Sequence, residues 1–173
     1  MELIEAIRTR RSVRSYLSSA VSDSELEELL ELATWAPSAG NLQPWEFVVV
    51  REERVKERLA EEALHQWWIA EAPVVVVACA NERRSSSIYG ARGRTLYCLC
   101  DGSAAVEILL LAVHSRGLGS CWVGAFHDEG VSRLLGLPGG VRPVAILPIG
   151  RPAEKPSPPP RRPLREVVHF ERF

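Results

Sequence analysis

Residues 96–116 read as one long helix whose middle, Val106-Glu107-Ile108-Leu109-Leu110-Leu111-Ala112-Val113, is apolar nearly all round. Such a helix must be covered on most of its sides. A chain of 173 residues makes one domain with a sizeable core, so a second subunit is an expected part of that cover. Gly117 ends the helix as a C′ residue. A second buried element follows from Val74-Val75-Val76-Val77-Ala78, a continuous apolar run behind Pro73. That is the pattern of a strand with no solvent face.

The other elements arrange themselves around these two. Leu3, Ile4 and Ile7 mark a short first helix. Ser22-Asp23-Ser24-Glu25 has capping-box spacing, and Leu26, Leu29, Leu30 and Ala33 follow on one helical face up to a stop at Pro37. Trp45–Val50 reads as a strand, and residues 51–64 as a charged helix with Val55, Leu59 and Ala63 inward. Residues 81–95, with Arg83, Arg84 and three serines at 85–87, are expected to form a mobile loop or lid. Ser120–Val123 is a short strand, Asp128 caps a helix reaching Leu135 and stopped by Gly136, and Val144–Leu147 is the last strand of the main body.

From Gly150 onward, prolines at 152, 156, 158, 159, 160 and 163 predict an extended path over a surface. Val167–Phe170 is a candidate closing strand. There is no repeat, so residues 1–173 are expected to form a single domain with 151–173 as an extended Pro/Arg-rich tail. Helices and strands mix without a regular βαβ rhythm, and no Gly-x-Gly-x-x-Gly turn follows a strand. That argues against a Rossmann fold.

Composition excludes several functions. A net charge of −1 gives no global field for nucleic acid or an anionic membrane. No apolar run approaches the roughly 20 residues of a membrane span. Met1-Glu2-Leu3-Ile4-Glu5 is acidic and begins a helix, unlike a signal peptide. Cys79, Cys98, Cys100 and Cys121 match no zinc or disulfide framework; Cys98 and Cys100, two apart in a helix, point to different faces. Reduced thiols and a cytoplasmic protein are expected. His65, His114, His127 and His169 have no metal spacing. No Ser/His/Asp set is legible, which fits chemistry carried by a cofactor.

Three stretches carry candidate chemistry. In Ala36-Pro37-Ser38-Ala39-Gly40-Asn41-Leu42-Gln43-Pro44-Trp45, two prolines bracket small and polar residues. Pro44 is expected to hold Gln43 extended, and the loop brings N–H groups, a hydroxyl and two amides near a ligand. Arg10-Arg11-Ser12-Val13-Arg14 lies in residues 6–22, which contain no acid. Its guanidinium forks suit a phosphate, the plainer alternative being a solvated basic turn. In Gly119-Ser120-Cys121-Trp122-Val123-Gly124-Ala125-Phe126, Gly124 and Ala125 allow a flat ring against the backbone, the plainer alternative being a strand-turn with Trp122 in the core.

In this order, and with Leu135-Gly136-Leu137-Pro138 and Gly150-Arg151-Pro152-Ala153-Glu154-Lys155-Pro156, these stretches resemble the nitroreductase family of FMN-dependent oxidoreductases over nearly the whole chain. The resemblance implies an α+β fold: a mostly antiparallel central sheet wrapped by helices, in an intertwined homodimer with two FMN sites at its interface. By the family's pattern Arg10, Arg11, Ser12 and Arg14 hold the phosphate, ribityl chain and pyrimidine edge. Pro37, Ser38, Ala39 and Asn41 reach the same flavin from the other subunit. Trp122, Val123, Gly124 and Ala125 line one ring face, with the backbone N–H groups of Gly124 and Ala125 near the flavin N5. Arg161 or Arg162 reaches the phosphate from the tail. The implied reaction passes electrons from NAD(P)H to a small flat acceptor, a nitroaromatic or a quinone, by double displacement. Two alternatives remain. One is reductive dehalogenation, which relatives perform with a lid carrying Glu, Tyr and Lys, whereas the candidate lid here has Tyr89 and no Lys. The other is a non-catalytic FMN-binding module.

Overall fold

The computed structural model describes all residues, Met1–Phe173. Four antiparallel strands form one sheet in the order β1-β2-β4-β3: β1 (Trp45–Val50), β2 (Val74–Asn81), β3 (Gly119–Ser120) and β4 (Val141–Gly150). The central strand β2 pairs with β1 from Trp45 against Ala80 to Val50 against Val75, and with β4 from Val74 against Ile149. The apolar run 74–78 is buried on both faces, as its pattern predicts. Val74, Val76 and Ala78 join a core layer with Ala145, Leu147 and Ile149. Val75, Val77 and Cys79 join a second layer on the opposite face. β4 carries Pro143 opposite Cys79, where the register shifts between Ala78 and Cys79. An irregularity is where a strand tolerates a residue that cannot donate to the ladder.

Two helices cover the first face: α2 (Asp23–Ala33), through Leu26, Leu29 and Ala33, and α6 (Cys98–Ser115), through Val106, Leu109, Leu110 and Val113. Ser22 accepts the Glu25 N–H at 3.1 Å, so α2 is capped as expected. α3 (Glu53–Glu62), the single-turn α4 (Trp68–Glu71) and α7 (Asp128–Leu135) cover the other face, with Leu59, Ala60, Ile69 and Val131 inward. α1 (Leu3–Thr9) turns only Ala6 inward. Leu3 and Ile7, the stripe that marks this helix, are 66% and 57% exposed.

Several expectations are corrected. Residues 81–95 form a helix, α5 (Glu82–Arg92), followed by a π-turn at Gly93–Tyr97 that runs into α6. Asn81 caps α5 by accepting the Arg84 N–H at 3.2 Å. The helix is broken at Gly90, φ 53° and ψ −135°, a backbone conformation open to glycine. The composite run Glu82–Ser115 is long and apolar enough by composition to cross a membrane, against the run length read from sequence; half of its apolar window is buried inside the fold. His127, not Asp128, precedes α7 as the cap residue, and Asp128 opens the helix and pairs with Arg142 at 3.1 Å. Val167–Phe170 is not a strand and pairs with none; the tail has one 3₁₀ turn at Leu164–Glu166 and is exposed from residue 157 onward. Cys79, Cys98 and Cys121 are buried, Cys100 is exposed, and all four are free.

Candidate functional site

The arginine-rich segment after α1 is tied into the sheet by its backbone. Ser12 bridges Ser120 of β3, and the Val13 N–H donates to the Ser120 carbonyl at 3.0 Å. The approach is close: a Cβ on Gly119 would lie 2.9 Å from Val13. The Tyr16 hydroxyl donates to the Val13 carbonyl at 2.5 Å. Burial raises that phenol's pKa well above the usual tyrosine value, so it is a fixed donor rather than an acid. The tail is strapped to the same segment. Leu17 N–H donates to Arg151 O and Ala153 N–H to Ser15 O, each at 2.9 Å, and Glu154 Oε1 accepts the Arg14 N–H at 2.5 Å.

This strapping folds residues 156–161 over the arginines. Arg10, Arg11, Ser12 and Arg14 face Pro156, Ser157, Pro159 and Arg161 around a cavity of about 260 Å³. Of its four guanidinium groups only that of Arg10 has a carboxylate within 4 Å, Glu107 at 3.8 Å. The Arg14 guanidinium lies over the Trp68 ring. Arg162 is not in this group: it donates to the Glu166 carbonyl at 2.8 Å and lies 3.6 Å from the Glu166 carboxylate.

The loop between α2 and β1 is held from several sides. Ser38 Oγ accepts the Gln43 N–H at 3.0 Å, and Gln43 Nε2 donates to the Asn41 carbonyl at 3.2 Å. Gly40, Asn41 and Gln43 have φ of 57°, 55° and 51°. Gln43 is therefore left-handed, not extended. Proline disfavours the right-handed region for the residue before it, and the Ser38 bond draws the Gln43 N–H into the turn. Tyr89 of α5 covers Gly40, where a Cβ would stand 2.8 Å from the phenol oxygen. Arg84 Nε donates to Leu42 O at 2.8 Å. From α6 both oxygens of Asp101 accept the Ala39 N–H at 3.2 Å.

The third stretch leaves the sheet at Val123, which exchanges backbone hydrogen bonds with Ile146 at 3.0 and 2.9 Å. Val123 is buried, Trp122 half-buried, and Gly124 and Ala125 are exposed. Gln66 Nε2 reaches the Ala125 carbonyl at 3.3 Å. Beside it Leu64 and His65 both take positive φ, 59° and 61°. Two consecutive non-glycine residues in that region store backbone strain, a feature that collects at ligand sites.

Within one chain these pieces are not all gathered. The arginine cavity is lined by Arg10, Arg11, Ser12, Arg14 and Arg161, but by none of Pro37, Ser38, Ala39, Asn41, Trp122, Val123, Gly124 or Ala125. Sequence reasoning missed Trp68, Gln66 and Asp101, and it named Tyr89 and Glu154 without these contacts. Asp101 gave a signal, an acid in an apolar helical run.

A family model described as the nitroreductase family matches this chain over residues 7–93 and 65–151. The chain belongs to the nitroreductase family. An NADH dehydrogenase of Thermus thermophilus is 36% identical over 186 aligned positions, covering 92% of this chain and 91% of its own. The solved structure of B. megaterium NfrA2 superimposes with a TM-score of 0.92 at 31% identity, over all of this chain and 76% of that one. The NADPH:FMN oxidoreductase from Vibrio harveyi complexed with NAD⁺ gives 0.91 at 27% identity, over 99% of this chain and 77% of that one. The four-stranded antiparallel sheet with flanking helices is the nitroreductase fold, as the motif order implies.

Proposed function

We propose that this nitroreductase is an FMN-dependent enzyme that takes electrons from NAD(P)H and passes them to flat acceptors such as nitroaromatics or quinones. The observation that carries the reading is the cavity of Arg10, Arg11, Ser12, Arg14 and Arg161. Four arginines line one small space; Arg11 donates to the Arg8 and Arg10 carbonyls, and a single carboxylate approaches one of the four, Arg10, at 3.8 Å. Like charges so placed call for a shared anion, and a phosphate monoester meets the fork geometry of arginine. The neighbour named as an NADPH:FMN oxidoreductase and complexed with NAD⁺ supports the same cofactor pair.

When bound, FMN supplies a ring that accepts a hydride and gives it up again. The chain's residues bind and orient it. Arg10, Arg11, Ser12 and Arg161 hold the phosphate and ribityl chain, and Arg14, braced on Trp68, faces the pyrimidine edge. Trp122, Val123, Gly124 and Ala125 form the floor beneath the ring. Pro37, Ser38, Ala39 and Asn41 close the site from a second copy, which makes a homodimer the working unit. The uncovered Leu3, Ile4 and Ile7, a groove of about 310 Å³ between Leu3, Leu32, Ile108 and Leu111, and a tail whose Phe170 is 84% exposed support that assembly. One ring face serves donor and acceptor in turn, the double-displacement scheme. The four free cysteines support a reducing, cytoplasmic setting.

Titrating the apoprotein with FMN by fluorescence, with sedimentation in parallel, tests this. One FMN per chain in a particle of two chains is expected. No binding at micromolar FMN, or a fully loaded monomer, contradicts it.

A further inference from the structure

Two charged side chains are buried in this chain, Lys56 and Asp101, each 8% exposed. Each clamps a neighbouring segment. Lys56 Nζ donates to the carbonyls of Ala70 and Ala72, at 3.0 and 2.8 Å. Asp101 accepts a single N–H, that of Ala39, on both oxygens at 3.2 Å, and no arginine, lysine or histidine lies within 4 Å of it. A buried carboxylate with one neutral donor is a costly way to fill a helix position, and an apolar residue of that volume would stabilise the fold more. The feature that needs holding is what it touches. Ala39 opens a turn in which Gly40, Asn41 and Gln43 all have positive φ. Such a backbone persists only where its surroundings over-determine it.

We infer that Asp101 is a positioning residue for flavin binding: it fixes the Ala39 N–H from α6, so that the outer side of the Ser38–Asn41 turn is presented rigidly to the FMN of the partner subunit. This rests on the FMN reading above. Asp101 reaches the turn from α6 through the Ala39 N–H, Gly40 and Asn41 are exposed, and Asp101 acts through Ala39. Tyr89 and Arg84 brace the turn from α5, and Asp101 is the anchor at its first residue.

Three variants test this, each measured for FMN affinity, for apoprotein melting and for mass. Asp101→Ala deletes the acceptor. Asp101→Asn keeps an amide oxygen facing the Ala39 N–H. Ala39→Pro deletes the donor from the other side; it suits the first position of a turn, and the preceding Ser38 is extended at φ −143° and ψ 152°. The expected result is FMN binding weakened about tenfold in Asp101→Ala and in Ala39→Pro. Asp101→Asn should stay within about threefold of the unaltered chain, because its acceptor is retained. Rescue by asparagine separates positioning from packing. FMN affinity unchanged in Asp101→Ala, or as weak in Asp101→Asn as in Asp101→Ala, overturns the inference. If Asp101→Ala does not fold, Ala39→Pro with Asp101→Asn decides: full affinity in the first, or lost affinity in the second, overturns it. An unaltered chain that takes no FMN overturns the FMN reading itself, and this inference with it.

Discussion

The Arg14 guanidinium sits 5.7 Å from the centroid of the Trp68 ring, while Glu154 holds its backbone N–H. Trp68 packs on Val13, Tyr16 and Ala72, so the ring is fixed by the same small cluster that ties the arginine segment to the tail. The stacking aims a planar cation, and a lysine does not reproduce it. Trp68→Leu keeps apolar bulk and removes the π face. A cation–π contact at such a site is worth about 0.5–1 kcal/mol, so FMN affinity should fall roughly two- to fivefold by fluorescence titration. Arg14→Lys should lose at least as much.

The two neighbouring tail arginines should behave differently. Arg161 faces the cavity with Arg10, whereas Arg162 is paired with Glu166. Charge-assisted hydrogen bonds are worth about 1.5–3 kcal/mol each, so Arg161→Ala and Arg10→Ala should each weaken FMN roughly tenfold to hundredfold. Arg162→Ala should leave the dissociation constant unchanged. The reverse order would move the phosphate away from this cavity.

Gly124→Val separates folding from function. A Cβ at Gly124 meets no atom closer than 3.5 Å, the Trp122 indole nitrogen, and the residue is exposed. The chain should therefore melt as before. Turnover with either NADH or NADPH should fall, because the branched side chain would occupy the floor proposed for the ring. A variant that folds and turns over normally would remove Gly124 from the site.

His114 makes stability depend on pH. Its ring lies 2.8 Å from Thr9 Oγ1, joining α6 to α1. Burial, then the charges of Arg10 and Arg11, lower its pKa, while Glu5 raises it. A histidine whose folded pKa lies below the unfolded value of about 6.5 stabilises the fold above that pH, and the contribution is lost as pH falls through the folded pKa. The melting temperature should drop as pH falls below about 6.5, and His114→Gln should flatten that slope. An identical slope in the variant would show that other groups carry it.

The legibility of this chain followed local physics. The 74–78 run and the 106–113 helix declared their burial because each is apolar on more faces than water tolerates, and the sheet places β2 and α6 accordingly. The grouping of Arg10, Arg11, Ser12 and Arg14 around one cavity was readable because the four sit within five residues. Residues 81–95 read as a loop because serines and glycine lower helix propensity, while the Asn81 cap and packing of Tyr89 over Gly40 supply the stability. Gln43 was misread because the rule for residues before proline says nothing of the Ser38 hydroxyl that turns its N–H inward. Trp68 and Glu154 lie 54 and 140 positions from Arg14. No spacing rule connects residues so far apart; only the fold does. The choice between Arg161 and Arg162 was open for the same reason.

The central claim is that a flavin held by these residues takes electrons from a nicotinamide donor and hands them on. The direct test is the anaerobic visible spectrum of the FMN-loaded protein, first with NADH or NADPH and then with a quinone. Bleaching by one of the two donors, and return of the colour on adding the quinone, is the predicted result. Steady-state double-reciprocal plots should then be parallel. A flavin that dithionite bleaches and neither nicotinamide does would contradict the account.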